Sequence, residues 1–285
     1  MKTNFNFINL TLSKTFQMPI AALKNYDCYY DVIDNNKPAY LILCNSLGQD
    51  IEMWQETLPY FSEHYNIIRY DKRGHGKSSI KENDSLFLIK DLAEDVIELS
   101  SYLKDKLAIP LNNENTIFCG LSIGGQIGQY LAIHHPNNFK KIVLCCTSVK
   151  IGTLESWLER MLFAKEQGIK PLAQGTIERW LTKDFRNTHK NRTEKVYTTL
   201  INTNINGYLG ACNAVARANF TTDLSKINIP ILIISAKQDL VTTVADAEFM
   251  EKQIPNAVHK SIDALHLCCI EKPKEFVDYI IAFNN

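Results

Sequence analysis

The stretch "NTIFCGLSIGG", residues 115–125, constrains this chain more than any other. An apolar, β-branched run ends in Gly120-Leu121-Ser122-Ile123-Gly124, and a helix is expected from about Ile123 until Pro136 stops it. In a G-x-S-x-G turn the glycines let the chain pass sharply from strand to helix, which leaves the serine exposed at the carboxyl edge of a sheet in a strained backbone. The helix aims its N-terminal N–H groups at the same place. Gly124, Gly125 and Gly128 each cost a helix about 1 kcal/mol relative to alanine, so together they predict close packing of this helix on the sheet.

The surrounding rhythm fits a parallel sheet with crossover helices. "AYLILCN" (39–45), "YNIIRY" (65–70), "NTIFCG" (115–120) and "KKIVLCC" (140–146) read as strands. Leu88, Leu92, Val96, Leu99 and Leu103 mark one face of a helix between the second and third, with Asp84 and Ser85 as its expected caps. From about Lys150 to Asn219 only helical segments occur, and strand rhythm returns with "IPILIISAK" (229–237) and "NAVHKSID" (256–263). At 285 residues the chain suits one large α/β domain carrying an insertion. The expected division is a core over residues 20–149 and 223–285 with a helical lid over 150–222.

Composition narrows the function. Lys plus Arg and Asp plus Glu number 31 each, so no net charge favours nucleic acid or an anionic membrane. The N-terminal stretch lacks the apolar core of a signal peptide, and no run is long enough to span a bilayer. Seven of the eight cysteines (Cys44, Cys119, Cys145, Cys146, Cys212, Cys268, Cys269) sit in apolar company without C-x-x-C pairing, which reads as buried thiols of a reducing cytoplasm. No cluster of His, Cys or carboxylates has metal-ligand spacing.

A serine hydroxyl is a weak nucleophile at its own pKa, so a base and an orienting acid must follow Ser122, in the order Ser, Asp, His. Asp239 follows the strand "ILIISAK", and His266 follows the next strand 27 residues later. Both stand just beyond carboxyl ends of strands, where open α/β sheets place their ligands. The alternatives are weaker. Asp246 lies in an expected helix, the strand "KKIVLCC" is followed by Thr147 and Ser148 rather than an acid, and His75 precedes the serine. The loop "CNSLGQD" after the first central strand offers the Leu47 N–H as one oxyanion donor, with Ile123 N–H as the other. "YDKRGHGKSS" reads as a structural loop whose Asp71 and Arg73 pair with each other or with the backbone.

With these residues located, the chain resembles the α/β-hydrolase superfamily and, within it, the 3-oxoadipate enol-lactone hydrolases. The resemblance rests on "CNSLGQDIEMW", "IIRYDKRGHGKSS", "FCGLSIGGQIGQYLAIHHP", "IERWLTKDF", "GYLGACNAV", "ISAKQDLVTTVADAEFM" and "DALHLCCIEKP". It implies an α/β-hydrolase fold with a mostly parallel sheet and an inserted lid, a Ser122–His266–Asp239 triad and no cofactor or metal. The implied partner is a small-molecule lactone carrying a carboxylate; no oligomeric state follows. Such a carboxylate calls for a cation or N–H donors in the lid, where Arg179, Arg186, Arg192 and Arg217 stand, and Trp157 and Trp180 suit either pocket lining or core packing. Arg217 follows "GYLGACNAV" one position from where the family places an Arg-Asp pair, and with the two tryptophans it is the expected substrate contact. A general carboxylesterase or cofactor-free perhydrolase would use the same triad, and a ligand receptor of this fold would hold its ligand with little turnover.

Overall fold

The computed structural model describes residues 20–81 and 86–284. The expected caps Asp84 and Ser85, and the stretch before residue 20, lie outside the described residues. Eight strands form one sheet: β1 (Ile20–Ala22), β2 (Asp27–Ile33), β3 (Tyr40–Cys44), β4 (Asn66–Tyr70), β5 (Thr116–Leu121), β6 (Lys141–Cys145), β7 (Ile231–Ala236) and β8 (Ala257–Ile262). Their order is β1-β2-β4-β3-β5-β6-β7-β8. β3 to β8 are parallel, while β1 and β2 add antiparallel pairs at one edge. β4, β5 and β7 are buried along their whole length, which is why they read as unbroken apolar runs rather than alternating ones. β3 pairs with both β4 and β5, so the strand order reverses between β3 and β5. A crevice opens at that reversal, beyond the carboxyl ends of the strands.

The helices are α1 (Leu58–Phe61), α2 (Ile89–Leu107), α3 (Ile123–His134), α4 (Leu154–Gln167), α5 (Lys170–Trp180), α6 (Lys183–Thr188), α7 (Lys190–Ile201), α8 (Ile205–Arg217), α9 (Val244–Gln253), α10 (Cys268–Glu271) and α11 (Pro273–Asn284). α4 to α8 fill the segment between β6 and β7, where the strand pattern lapses. In α2, Leu92, Val96, Leu99 and Leu103 are buried as their spacing predicts. Leu88 departs from that face: it precedes the helix, is 41% exposed, and its N–H donates to Asp91 Oδ2 at 2.8 Å, so the helix starts one residue later. α3 packs where its glycines allow: a Cβ at Gly125 would stand 2.5 Å from Thr147 Cβ, and one at Gly128 would stand 2.8 Å from Leu144 Cδ2. Among the described residues, no helix is long and apolar enough to cross a membrane.

Candidate active site

Ser122 occupies the turn between β5 and α3 with φ 61° and ψ −116°, a left-handed backbone that an L-residue adopts only under constraint. The constraint is visible on every side. Ser122 N–H donates to Cys145 O at the end of β6 (2.9 Å), and Ser122 O accepts from Gly125 N–H (2.9 Å), Gln126 N–H (3.1 Å) and Thr147 Oγ1 (2.8 Å). A Cβ at Gly120 would lie 2.0 Å from Gly124 O, and one at Gly124 would lie 2.5 Å from Cys44 O, so the turn closes only with glycine at both positions.

Asp239 stands in the loop after β7 and is buried. Its Oδ1 accepts from Val241 N–H (2.7 Å) and Thr242 N–H (3.2 Å), and its Oδ2 accepts from Thr242 Oγ1 (2.8 Å) and His266 Nδ1 (2.7 Å). Burial raises the carboxyl's pKa, but the His266 charge, its hydrogen bond and the donors from Val241 and Thr242 together outweigh that and hold it below its ordinary value. His266, 1% exposed in the loop after β8, therefore carries its proton on Nδ1 and presents Nε2 as an acceptor. Ser122 Oγ and His266 Nε2 have no hydrogen-bond partner among the described residues, and both residues line one cavity of about 340 Å³.

Leu47 also lines that cavity, and Ile123 begins α3 directly after Ser122; neither backbone N–H has a protein acceptor among the described residues. Two free N–H groups flanking the serine suit a developing oxyanion. Asp246 is engaged elsewhere: it caps α9 through Thr243 N–H and Thr243 Oγ1 (both 2.7 Å) and accepts from Ser148 Oγ (2.9 Å). His75 is buried with Nδ1 2.9 Å from Arg73 O and does not reach the cavity. Asp71 accepts from Ile51 N–H and Lys77 N–H, whereas Arg73 clasps Asp95 at 2.6 and 2.7 Å, so this loop is braced to the backbone and to α2 rather than by an Asp71–Arg73 pair.

The helical segment closes the cavity. Trp157 and Trp180 both line it; Trp157 Nε1 donates to Ile151 O (2.7 Å), and the Trp180 ring stacks over His266 with centroids 6.5 Å apart at 25°. Arg217 departs from expectation. It ends α8 exposed, its Nε donates back one turn to Asn213 Oδ1 (2.9 Å), and it is absent from the cavity wall. The cavity's cations are instead Arg160 of α4 and Arg179 of α5. Arg160 donates to Tyr208 OH (2.7 Å) and Thr176 Oγ1 (3.0 Å), and Arg179 donates to Thr176 Oγ1 (3.4 Å). Neither has a carboxylate partner among the described residues. Burial and the neighbouring Arg160 lower the pKa of Arg179, as expected of two like charges facing one space.

The model of the alpha/beta hydrolase fold matches residues 40–273. The chain belongs to the α/β-hydrolase fold family. It is 39% identical to 3-oxoadipate enol-lactonase 2 of Acinetobacter baylyi over 85% of this chain and 86% of that protein. It is 35% identical to 3-oxoadipate enol-lactonase 1 of the same organism over 87% and 89%. Among solved structures it resembles the enol-lactonase from Burkholderia xenovorans LB400, with TM-score 0.86 and 31% identity over 93% of this chain and 99% of that one.

Within this α/β hydrolase, two features of the site escaped the sequence reading. Arg160 falls on the same face of α4 as Trp157, three residues away, and that spacing was the available signal. Glu271 stitches the His266 loop to the helical segment: Oε1 accepts from Leu265 N–H (2.9 Å), and Oε2 accepts from Thr182 N–H (3.2 Å) and Thr182 Oγ1. Leu267 N–H donates to Trp180 O (3.0 Å) beside it.

Proposed function

We propose that this α/β hydrolase opens 3-oxoadipate enol-lactone to 3-oxoadipate. Ser122 attacks the lactone carbonyl as His266 Nε2 takes its proton, Asp239 holds the imidazole and stabilises the imidazolium, and the Leu47 and Ile123 N–H groups receive the oxyanion. The Ser122 hydroxyl and the His266 imidazole face one cavity, and a catalytic hydrogen bond between such groups tightens in the complex with substrate. As the C–O bond breaks, the imidazolium gives its proton to the leaving oxygen, which leaves an acyl-enzyme with a tethered enol and a neutral His266. Tautomerisation to the ketone removes the group that would reclose the ring, and His266 then activates water to release the acid. The scheme uses protein groups and water alone.

The observation that carries the reading is the pair of guanidinium groups, Arg160 and Arg179, facing the cavity of Ser122 and His266 without a carboxylate partner among the described residues. They suit a substrate that brings its own carboxylate, as the lactone does. The two Acinetobacter baylyi relatives named for that activity support the same substrate. Residues 150–222 act as a lid on a core of residues 20–149 and 223–285, with Trp157 and Trp180 as its apolar walls. All eight cysteines are free and buried, which favours the cytoplasm.

The test compares the anionic lactone with its methyl ester. A charge-assisted hydrogen bond contributes about 1.5 to 3 kcal/mol, so the acid form should lead in kcat/KM by roughly 10- to 150-fold, and Ser122→Ala should abolish both reactions. Equal efficiency on acid and ester would leave a general carboxylesterase as the better reading.

A further inference from the structure

Lys72 is 1% exposed, yet it forms no ion pair among the described residues. An unpaired ammonium in the interior is costly unless dipoles compensate it. Here the compensation is two backbone carbonyls: Lys72 Nζ donates to Asn45 O (2.9 Å) and to Ser46 O (3.1 Å). Burial lowers the pKa of Lys72, while Cys44, Asp71 and Asp50 nearby favour its charged form; the Asp71 carboxyl accepts the N–H groups of Ile51 and Lys77, and the hydrogen bonds of Lys72 go to the loop after β3.

Ser46 O belongs to the same peptide unit as Leu47 N–H. That unit is planar and trans, so its oxygen and its N–H point in opposite directions. Pinning the oxygen to a buried cation turns the N–H away from the interior, on a residue that lines the cavity. A positive charge on the oxygen also draws electron density from the amide and makes its N–H a stronger donor. The rest of the loop is held independently: Trp54 Nε1 donates to Asn45 Oδ1 (2.9 Å), Asn45 Nδ2 donates to Tyr70 O (3.1 Å), and Gln49 Nε2 donates to Val196 O (3.2 Å). Ser46 O also accepts from Gln49 N–H (3.3 Å), so the loop's anchorage does not depend on the lysine, whereas the added polarisation of the Ser46–Leu47 peptide does.

We propose that Lys72 is a positioning residue that orients and polarises the Leu47 N–H for the oxyanion. The proposal rests on the serine mechanism above but not on the identity of the acyl substrate. The interaction grows as negative charge develops, so its loss falls on kcat rather than on KM.

The test compares Lys72→Met and Lys72→Gln with the parent on 3-oxoadipate enol-lactone and on phenylboronic acid, which adds to Ser122 and places an oxygen at the oxyanion position. Removing a whole oxyanion donor costs about 10²- to 10³-fold, so misdirecting one should lower kcat in Lys72→Met about 10- to 100-fold, with KM within about twofold. Phenylboronic acid should weaken in parallel. Lys72→Gln, which keeps one neutral donor, should fall between. A Lys72→Met kcat within about twofold of the parent overturns the proposal, as does a kcat loss with unchanged boronic acid affinity, because the transition-state term would then be missing. If Lys72→Met does not fold, Lys72→Gln decides: parallel losses support the role, and unchanged values overturn it. A parent that hydrolyses 4-nitrophenyl acetate but not the lactone removes the substrate reading, and the comparison then runs on that ester. Turnover surviving in Ser122→Ala removes the serine mechanism and this proposal with it.

Discussion

Replacing Asp239 by asparagine tests the proposed mechanism at the point where the geometry makes a definite chemical choice. In the parent, Oδ1 accepts two backbone N–H groups, from Val241 and Thr242, while Oδ2 faces the Thr242 hydroxyl and His266 Nδ1. An asparagine must put its carbonyl oxygen at one position and its NH2 at the other. The backbone donors cannot rotate away, so the oxygen takes the Oδ1 position and the NH2 takes the Oδ2 position. The Thr242 hydroxyl can turn to accept, but His266 Nδ1 must then become an acceptor, which moves the ring proton to Nε2. An imidazole protonated at Nε2 cannot take the Ser122 proton. The loss expected for such a tautomer error is on the order of 10⁴-fold in kcat, with the fold preserved because the amide refills the same hydrogen bonds. Steady-state kinetics on the lactone gives the rate, and ¹⁵N chemical shifts of the His266 ring report which nitrogen carries the proton. A variant within about tenfold of the parent, or one whose ring still carries Nδ1–H, would refute the reasoning.

Arg160→Met should lower kcat/KM for the anionic lactone by about 10- to 100-fold and leave a neutral ester near the parent value, since one charge-assisted contact is lost; equal losses on both would mean that Arg160 shapes the cavity rather than binding a carboxylate. Gly124→Ala should destabilise by about 1 to 3 kcal/mol in urea unfolding, because the new methyl meets Cys44 O at 2.5 Å and backbone must shift. Burial and the nearby Lys72 push His75 from 6.5 down to about 3. Between those values the unfolded chain binds a proton that the folded chain refuses, so this histidine's contribution is full above 6.5 and is lost as pH falls toward about 3. Asp71, pushed up to about 7 by burial, works in the opposite sense: the folded chain holds a proton that the unfolded one releases, and stability is lost as pH rises toward that value. His75→Gln should remove up to about 1.4 kcal/mol per pH unit from the acid slope, read as urea midpoints at pH 7 and pH 5, and an unchanged slope would show His75 titrating normally.

β5 and β7 were legible because parallel strands buried on both faces must be continuous apolar runs, and Ser122 follows β5 directly while Asp239 stands in the loop after β7; β8, before His266, is a partly exposed edge strand that alternates instead. Chain order added the rest, since a serine at a strand-to-helix turn needs its acid and base later along the same edge. The sequence pattern did not announce β1 and β2: β1 has only three residues, and β2, "DCYYDVI", is long and aromatic but carries Asp27 and Asp31 and is only partly buried at the antiparallel edge, so its signal is more polar than that of the central strands. Within the stretch expected to be helical, α6 has only six residues and so no apolar period of its own to mark its ends.

The wall opposite the serine depended on packing alone. Periodicity announces that α4, α5 and α8 are helices, but not which face each turns toward the sheet edge, and packing turns Arg160 of α4 rather than Arg217 of α8 to the cavity. The same holds for Lys72, whose place in "YDKRGHG" looks like that of a surface lysine until β3 and β4 pair and bring its ammonium to the carbonyls of Asn45 and Ser46. Backbone geometry is local and is written in glycines, strand runs and chain order. Side chains from segments distant in sequence meet only through the tertiary structure, because their approach is settled by how whole elements pack rather than by any pattern within one of them.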